Sequence, residues 1–101
     1  MDSDLITNEW LRTHFKETSF HLNDSPMYMF DIQLRSNLYD NRKLQLMDLG
    51  DGYRVWYYCS ITHGEDTTYF SAPLKDIKTT FELYELTSCF TDEGNSLHST
   101  R

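Results

Sequence analysis

The chain has 101 residues, of which 39% are hydrophobic and 15% aromatic. That length supports one hydrophobic core and is too short for two, so a single domain is expected. Its 9 basic and 16 acidic residues give a net charge of −7. This balance disfavours non-specific attraction to nucleic acid or to an anionic membrane, because both require net positive charge. The two cysteines, Cys59 and Cys89, do not define a disulfide framework.

An N-terminal helix is predicted over residues 8–15. Thr7 is a suitable N-cap, and Ile6 before it can pack on Leu11 as a hydrophobic staple. Trp10 and Leu11 belong to one apolar stripe at helical spacing, which predicts that Trp10 anchors the core.

The first residues also bear on location. Met1 is followed by acidic and polar residues, which is not the pattern of a secretory signal. The longest apolar stretch of the chain is far shorter than a membrane span. A cytoplasmic protein that does not bind a membrane is therefore expected.

Alternation with period two follows the helix and predicts antiparallel strands. Residues 18–22 and 27–34 are the first two strands, joined by a turn at residues 24–26. The second strand has one apolar face, which is predicted to be buried and consists of Tyr28, Phe30, Ile32 and Leu34. Residues 35–42 are predicted to form a polar loop.

The third and fourth strands are predicted over residues 43–49 and 53–61. Two glycines in residues 50–52 allow the positive backbone angles of a tight hairpin between them. Aromatic residues on both faces of the fourth strand are typical of a central strand. Its two faces carry Tyr53, Val55, Tyr57, Cys59 and Ile61 on one side and Arg54, Trp56, Tyr58 and Ser60 on the other.

The last strand and the second helix follow. A turn at residues 62–66 leads into a short fifth strand over residues 67–71, and Pro73 is predicted to end the sheet. A helix is predicted over residues 80–91, where Thr79 and Glu82 have the spacing of a capping box.

Gly94 is predicted to stop this helix, and residues 92–101 to form a polar, flexible tail. Residues 1–91 then form a single α+β domain. The predicted fold is an antiparallel four- to five-stranded meander sheet flanked by the two helices, both packed on one face. The other face is predicted to be partly exposed.

Sequence motifs for catalysis are absent: there is no glycine-rich phosphate loop, no H-E-x-x-H and no G-x-S-x-G. A non-enzyme without cofactor or metal is therefore expected. As alternatives, Cys59 and His63 have a C-x-x-x-H spacing that could hold a metal, and Cys89 could act as a nucleophile with a histidine base. The plainer interpretation places both cysteines in the core and His63 in a solvated turn.

The candidate partner-binding residues are Trp56, Tyr58 and Tyr69, with Arg54 beside them. Aromatic side chains on a sheet face can pack with one another, anchor a protein partner or stack nucleic-acid bases. Base stacking normally comes with a basic groove, whereas Arg54 is the only cation of the fourth strand. The charges thus favour a protein partner over direct nucleic-acid binding. An exposed strand edge beside this face is also compatible with a homodimer.

The terminal helices carry a resemblance. Residues 7–11 are Thr-Asn-Glu-Trp-Leu and precede Phe15, and residues 81–86 are Phe-Glu-Leu-Tyr-Glu-Leu and precede Phe90 and Thr91. In these segments the chain resembles short uncharacterised proteins encoded on phages and mobile elements of gut bacteria. The resemblance implies an accessory role in that context and no catalytic or ligand-binding residue.

Three functional hypotheses follow. The leading one is a small acidic accessory protein that acts by protein–protein contact through the aromatic face. The second is an acidic inhibitor that mimics nucleic acid and occupies a basic host protein, as the charge of −7 suggests. The third is a small metal-dependent or cysteine enzyme.

Overall fold

The computed structural model describes residues 4–99, with side chains described up to residue 90. The elements of this part are α1 (Asn8–His14), β1 (Lys16–Glu17), β2 (Phe20–Leu22), β3 (Ser25–Met27), β4 (Met29–Ser36), β5 (Asp40–Asp48), β6 (Tyr53–His63), β7 (Asp66–Ile77) and α2 (Thr80–Ser99). Five strands form an antiparallel sheet in the order β1-β4-β5-β6-β7, and β2 and β3 form a separate ribbon. The predicted class, α+β with an antiparallel meander between two helices, is confirmed.

Helix α1 begins where the sequence predicts. The Thr7 hydroxyl accepts a hydrogen bond from the amide of Trp10 at 3.0 Å, which satisfies one of the free amides of the first turn. The helix ends at His14, because Phe15 is already extended. Leu11 is fully buried, and the half-buried Trp10 packs against the core.

The segment after α1 differs from the prediction. β1 is a short edge strand that pairs with β4, and residues 20–27 fold into the separate β2–β3 ribbon. The turn of this ribbon is formed by Asn23 and Asp24, both with positive φ, rather than by residues 24–26. Asparagine and aspartate tolerate this left-handed conformation better than most residues, and they suit a two-residue hairpin.

Strands β4 and β5 have a shorter connection than predicted. β5 begins at Asp40, so most of residues 35–42 belong to the ladder and the predicted polar loop is wrong. The Asn37 side-chain oxygen accepts hydrogen bonds from the amides of Tyr39 and Asp40, both at 2.8 Å. This Asx turn closes the connection. Arg42 remains in the strand, where its guanidinium pairs with Asp40 at 2.8 Å.

The hairpin at residues 50–52 is confirmed. Gly50 has a φ of 99°, which strongly favours glycine. Its amide donates to the Asp48 carboxylate at 2.8 Å. A Cβ atom at Gly52 would lie 3.0 Å from the carbonyl oxygen of Ile77. The second glycine thus lets the turn lie against the end of β7.

β7 runs well beyond its predicted end. It spans Asp66–Ile77 and includes Pro73, so the prediction that Pro73 ends the sheet is wrong. β7 is an edge strand, where a proline costs no ladder bond if its missing N–H faces away from the neighbouring strand. The register with β6 shifts between Val55 and Trp56, a bulge that accommodates Leu74 as the extra residue.

The capping box at the start of α2 has the predicted contacts. The Glu82 amide donates to Thr79 Oγ1 at 3.2 Å. The Glu82 carboxylate accepts from the amides of Lys78 at 2.8 Å and of Thr79 at 3.0 Å. These backbone donors stabilise the ionised form and lower the pKa of Glu82.

The end of α2 is not where the sequence predicts it. The helix continues to Ser99, so Gly94 does not stop it. A glycine inside a helix costs about 1 kcal/mol relative to alanine, which a long helix tolerates. Most of the predicted tail, residues 92–99, is helical, while residues 100–101 lie outside the described residues. The flexibility of this tail stays a prediction.

Both helices pack on the same face of the sheet, as predicted. Ring contact links them, since the centroids of Trp10 and Tyr84 are 6.2 Å apart. The core beneath them consists of Ile6, Leu11, Phe30, Ile32, Leu44, Leu46, Tyr53, Val55, Ile77 and Leu83. The opposite side of the sheet is called the outer face.

Candidate functional site

The four candidate residues predicted from the sequence lie on the outer face. Side chains alternate between the faces of a strand, and the neighbours of Arg54, Trp56 and Tyr58 in β6 point into the core. Pairing in the ladder places Tyr69 of β7 opposite Ser60, beside Tyr58. The structure therefore brings all four onto one side of two adjacent strands.

Tyr58 and Tyr69 form the aromatic centre of this face. Their ring centroids are 6.4 Å apart, within the range in which aromatic pairs attract each other. Tyr69 is 67% exposed, whereas Tyr58 and Trp56 are half-buried. A ring that is already held against a neighbour loses little conformational entropy on binding, which makes Tyr69 a suitable contact for a partner.

A polar cluster that the sequence did not predict lies beside Tyr58. Asp31 of β4 is only 8% exposed, and its carboxylate accepts a hydrogen bond from Lys43 Nζ at 2.9 Å. Gln45 and Thr18 donate to the same carboxylate at 3.3 and 3.4 Å. A buried charge is costly unless it is paired, and these three donors provide that pairing.

Lys43 joins the polar cluster to the aromatic centre. Its ammonium nitrogen lies 5.0 Å from the centroid of the Tyr58 ring, within the range of a cation–π interaction. The same nitrogen binds Asp31. Tyr58 is thus positioned from two sides, by Lys43 of β5 and by Tyr69 of β7.

An open depression of about 550 Å³ adjoins Tyr58 on the outer face. It is lined by His14, Phe15, Lys16, Asp31, Gln33, Asn41, Lys43, Tyr58 and Ser60. Small-molecule sites are typically apolar, whereas most of this lining is polar and bonded within the protein. The Gln33 amide, for example, donates to Asn41 Oδ1 at 2.7 Å. The depression therefore extends the polar surface around the aromatic centre.

Arg54 has a partner within the chain. Its guanidinium forms two hydrogen bonds with the Asp76 carboxylate, at 2.9 and 3.3 Å. The pair raises the pKa of Arg54 and lowers the pKa of Asp76. Arg54 thus contributes a balanced charge pair to the outer face, beside Trp56.

The two residues of the metal alternative are separated in the structure. Cys59 and His63 lie four residues apart in β6, so in an extended strand their Cα atoms are about 13 Å apart, too far to share one ion. Cys59 is half-buried, but Cys89 is exposed, which contradicts its predicted core position. Among the residues that the structure describes, no group of three His, Cys, Asp or Glu could hold a metal ion.

Comparisons with known proteins give no match: no family model, curated protein or solved structure matches the chain. Within the described residues, neither helix is long and apolar enough to cross a membrane. The argument for function therefore starts from the outer face itself.

Proposed function

We propose that the protein is a small non-enzymatic accessory protein that binds a protein partner through its outer aromatic face, which consists of Trp56, Tyr58 and Tyr69. The observation that carries this proposal is the Tyr58–Tyr69 pair, in which one ring is held in place and the other is 67% exposed. Tyrosine and tryptophan side chains in rigid, central positions contribute most of the binding energy at many protein interfaces.

The charges around this face support a protein partner rather than nucleic acid. Lys43 is paired with Asp31 at 2.9 Å, and Arg54 is paired with Asp76 at the same distance. Single-stranded nucleic acids are bound by aromatic rings in a groove of cations that follow the phosphates. Two cations already neutralised by carboxylates do not form such a groove.

The proposed setting is the cytoplasm of a bacterial cell that carries a phage or a mobile element. This setting follows from the resemblance of the terminal helices, residues 7–11 and 81–86, to proteins of such elements. The partner would then be a protein of the host or of the element. A lysate of the bacterial cell that carries the element is accordingly the source in which to search for the partner.

The nucleic-acid-mimic hypothesis stays a second prediction. Its support is the net charge of −7. Among the residues whose side chains are described, four carboxylates are engaged in ion pairs, namely those of Glu17, Asp31, Asp40 and Asp76, which leaves fewer for an acidic surface. A mimic would bind with an affinity that falls steeply with salt, because exposed charges are screened.

The proposal is tested by substitution at the exposed ring. Tyr69→Ala should weaken the complex with an identified partner by about tenfold or more, as expected for an aromatic anchor. Isothermal titration calorimetry on the purified pair measures this effect. Repeating the titration at two salt concentrations separates aromatic contact from charge mimicry.

Phe81→Ala is the matched control for this experiment. Phe81 lies on α2 and is 55% exposed, so this variant removes a similarly exposed aromatic ring from the helix side of the protein. The affinity of Phe81→Ala for the partner should remain within about twofold of that of the unaltered chain. Equal affinities of Tyr69→Ala and the unaltered chain would contradict binding through the outer aromatic face.

A further inference from the structure

We propose that two copies of this chain pair through β7 into an antiparallel homodimer with one continuous sheet. β7 is 12 residues long and ends the order of the described strands, with β6 as its neighbour on one side only. A long edge strand presents main-chain donors and acceptors that can pair with another strand. This inference goes beyond the proposed function, and of the three residues of the outer aromatic face it involves only Tyr69, through its place in β7.

The main-chain groups of β7 that face away from β6 can be identified. His63 and Asp66 pair across a two-residue turn in which Gly64 has a φ of 61°, and such closing pairs exchange hydrogen bonds with each other. Alternation then directs every second residue outward. The outward groups belong to Thr67, Tyr69, Ser71 and Pro73. Pro73 fits this pattern, because its nitrogen faces away from β6 and its missing N–H therefore removes no hydrogen bond to that strand.

The open edge carries only part of the usual protection against pairing, because Pro73 and the bulge at Leu74 interrupt it near one end. Natural edge strands carry lysine or other charges that oppose association, but residues 67–74 contain no charged side chain. Phe70 is 55% exposed and Tyr69 67% exposed. Phe70 contacts Tyr57 on the core side of the sheet, with the ring centroids 6.5 Å apart. An apolar side chain on each face of the edge therefore remains to be covered.

The strand is complementary to a second copy of itself. A two-fold axis through Phe70 places the two Phe70 rings side by side and sets Tyr69 of each copy opposite the small Ser71 of the other. Tyr69 and Ser71 then exchange main-chain hydrogen bonds across the axis. At each end, Lys75 of one copy meets the acidic turn of the other, which contains Glu65 and Asp66. Opposite charges opposite each other favour this antiparallel register.

The other edge of the sheet is short and irregular, so among the described strands it offers no match for β7. β1 covers β4 at Phe30 and Asp31, and a register shift follows between Gln33 and Arg35. The Gln33 side chain donates to the carbonyl oxygen of Arg35 at 2.8 Å. A single self-complementary edge gives a closed two-fold dimer rather than an open filament. The dimer would carry two outer aromatic faces on the same side of its sheet.

Sedimentation velocity tests the dimer with a backbone substitution. The unaltered chain should sediment as a dimer at about 100 μM. Ser71→Pro removes one outward amide per copy and should weaken dimerisation at least about 100-fold, because two hydrogen bonds are lost and their acceptors remain unpaired. Ser71→Ala keeps the amide and should remain dimeric. A monomeric unaltered chain, or a dimer that persists in Ser71→Pro, would overturn the proposal.

Cysteine cross-linking tests the same register and does not depend on how Ser71→Pro folds. In a Cys59→Ala, Cys89→Ser background, Phe70→Cys places two thiols across the axis with Cα atoms about 4.5 Å apart, within disulfide range. Thr68→Cys lies on the same side of the edge, but its two copies are about 13 Å apart along the strands. Mild oxidation should link Phe70→Cys and leave Thr68→Cys unlinked. Equal linking of both, or of neither, would overturn this register.

Discussion

The two faces of the sheet are stabilised in different ways. On the face under the helices, Leu44, Leu46 and Val55 are fully buried, and their contribution is the removal of apolar surface from water. On the outer face, the buried group is the Asp31 carboxylate, which Lys43 pairs at 2.9 Å. One face therefore depends on volume and area, and the other on the geometry of a few polar contacts.

The core face therefore supplies stability, whereas the polar contacts of the outer face determine where particular side chains lie. Apolar burial is non-directional, so the core tolerates exchanges that conserve volume. The ion pair on the outer face is directional, and its ammonium group also lies over Tyr58. A paired buried charge adds little net stability. Its consequence here is the fixed place of the Tyr58 ring, against which Tyr69 packs.

The largest effect on stability is expected from the core face. Leu44→Ala should lower the free energy of unfolding by about 3 kcal/mol, because it removes a fully buried side chain and leaves a cavity. Urea denaturation followed by circular dichroism measures this loss. Leu38→Ala is the matched control, since Leu38 is 80% exposed, and its effect should stay within about 0.5 kcal/mol. Equal losses in both variants would contradict the assigned core.

The outer face should respond next, at its buried pair. Lys43→Met should destabilise the protein by about 2 kcal/mol, because it leaves the Asp31 carboxylate buried without its cation. Combining it with Asp31→Leu removes the orphaned charge and should recover most of that loss. The double-mutant cycle is measured by urea denaturation. A double variant that is no more stable than Lys43→Met would contradict the pairing.

The features that the sequence predicts are local ones. The Thr7 cap, the Thr79–Glu82 capping box and the Gly50 turn each depend on residues within four positions of one another. Alternation likewise places Arg54, Trp56 and Tyr58 on one side of a strand. Tyr69 joins them because β6 and β7 are consecutive and joined by a short turn.

The features that the sequence misses depend on strand order and register. Asp31 and Lys43 meet only because β4 and β5 pair in one register, which a one-residue slip would abolish. Pro73 is tolerated inside β7 because that strand is at the edge, and edge position is not visible in a local pattern. Gly94 predicts the end of a helix only because of its low helix propensity. The structure overrides that preference, since α2 continues through Gly94 to Ser99.

The core face also predicts a response to high pH. Burial raises the pKa of Tyr53 to about 12, whereas the pKa of a tyrosine in the unfolded chain is about 10. Between these values the unfolded chain has lost the proton that the folded chain keeps, so stability falls as the pH rises from about 10 to 12. Urea denaturation at each pH should show the unaltered chain losing about 1–2 kcal/mol more than Tyr53→Phe over this interval. Parallel pH profiles of the two would contradict the burial of this hydroxyl.

The smallest effect is expected at the exposed ion pair of the outer face. The side chains of Arg54 and Asp76 are 43% and 54% exposed, so solvent and salt screen their attraction. Arg54→Ala should therefore lower the free energy of unfolding only slightly in low salt and even less in high salt, as measured by urea denaturation in both buffers. Lys43→Met is its counterpart on the same face, and its larger loss should persist in high salt because Asp31 is buried. Equal losses in Lys43→Met and Arg54→Ala, with equal sensitivity to salt, would contradict the idea that burial distinguishes the Asp31–Lys43 pair from the Arg54–Asp76 pair. A role for Lys43 in holding the Tyr58 ring in place would then be contradicted as well.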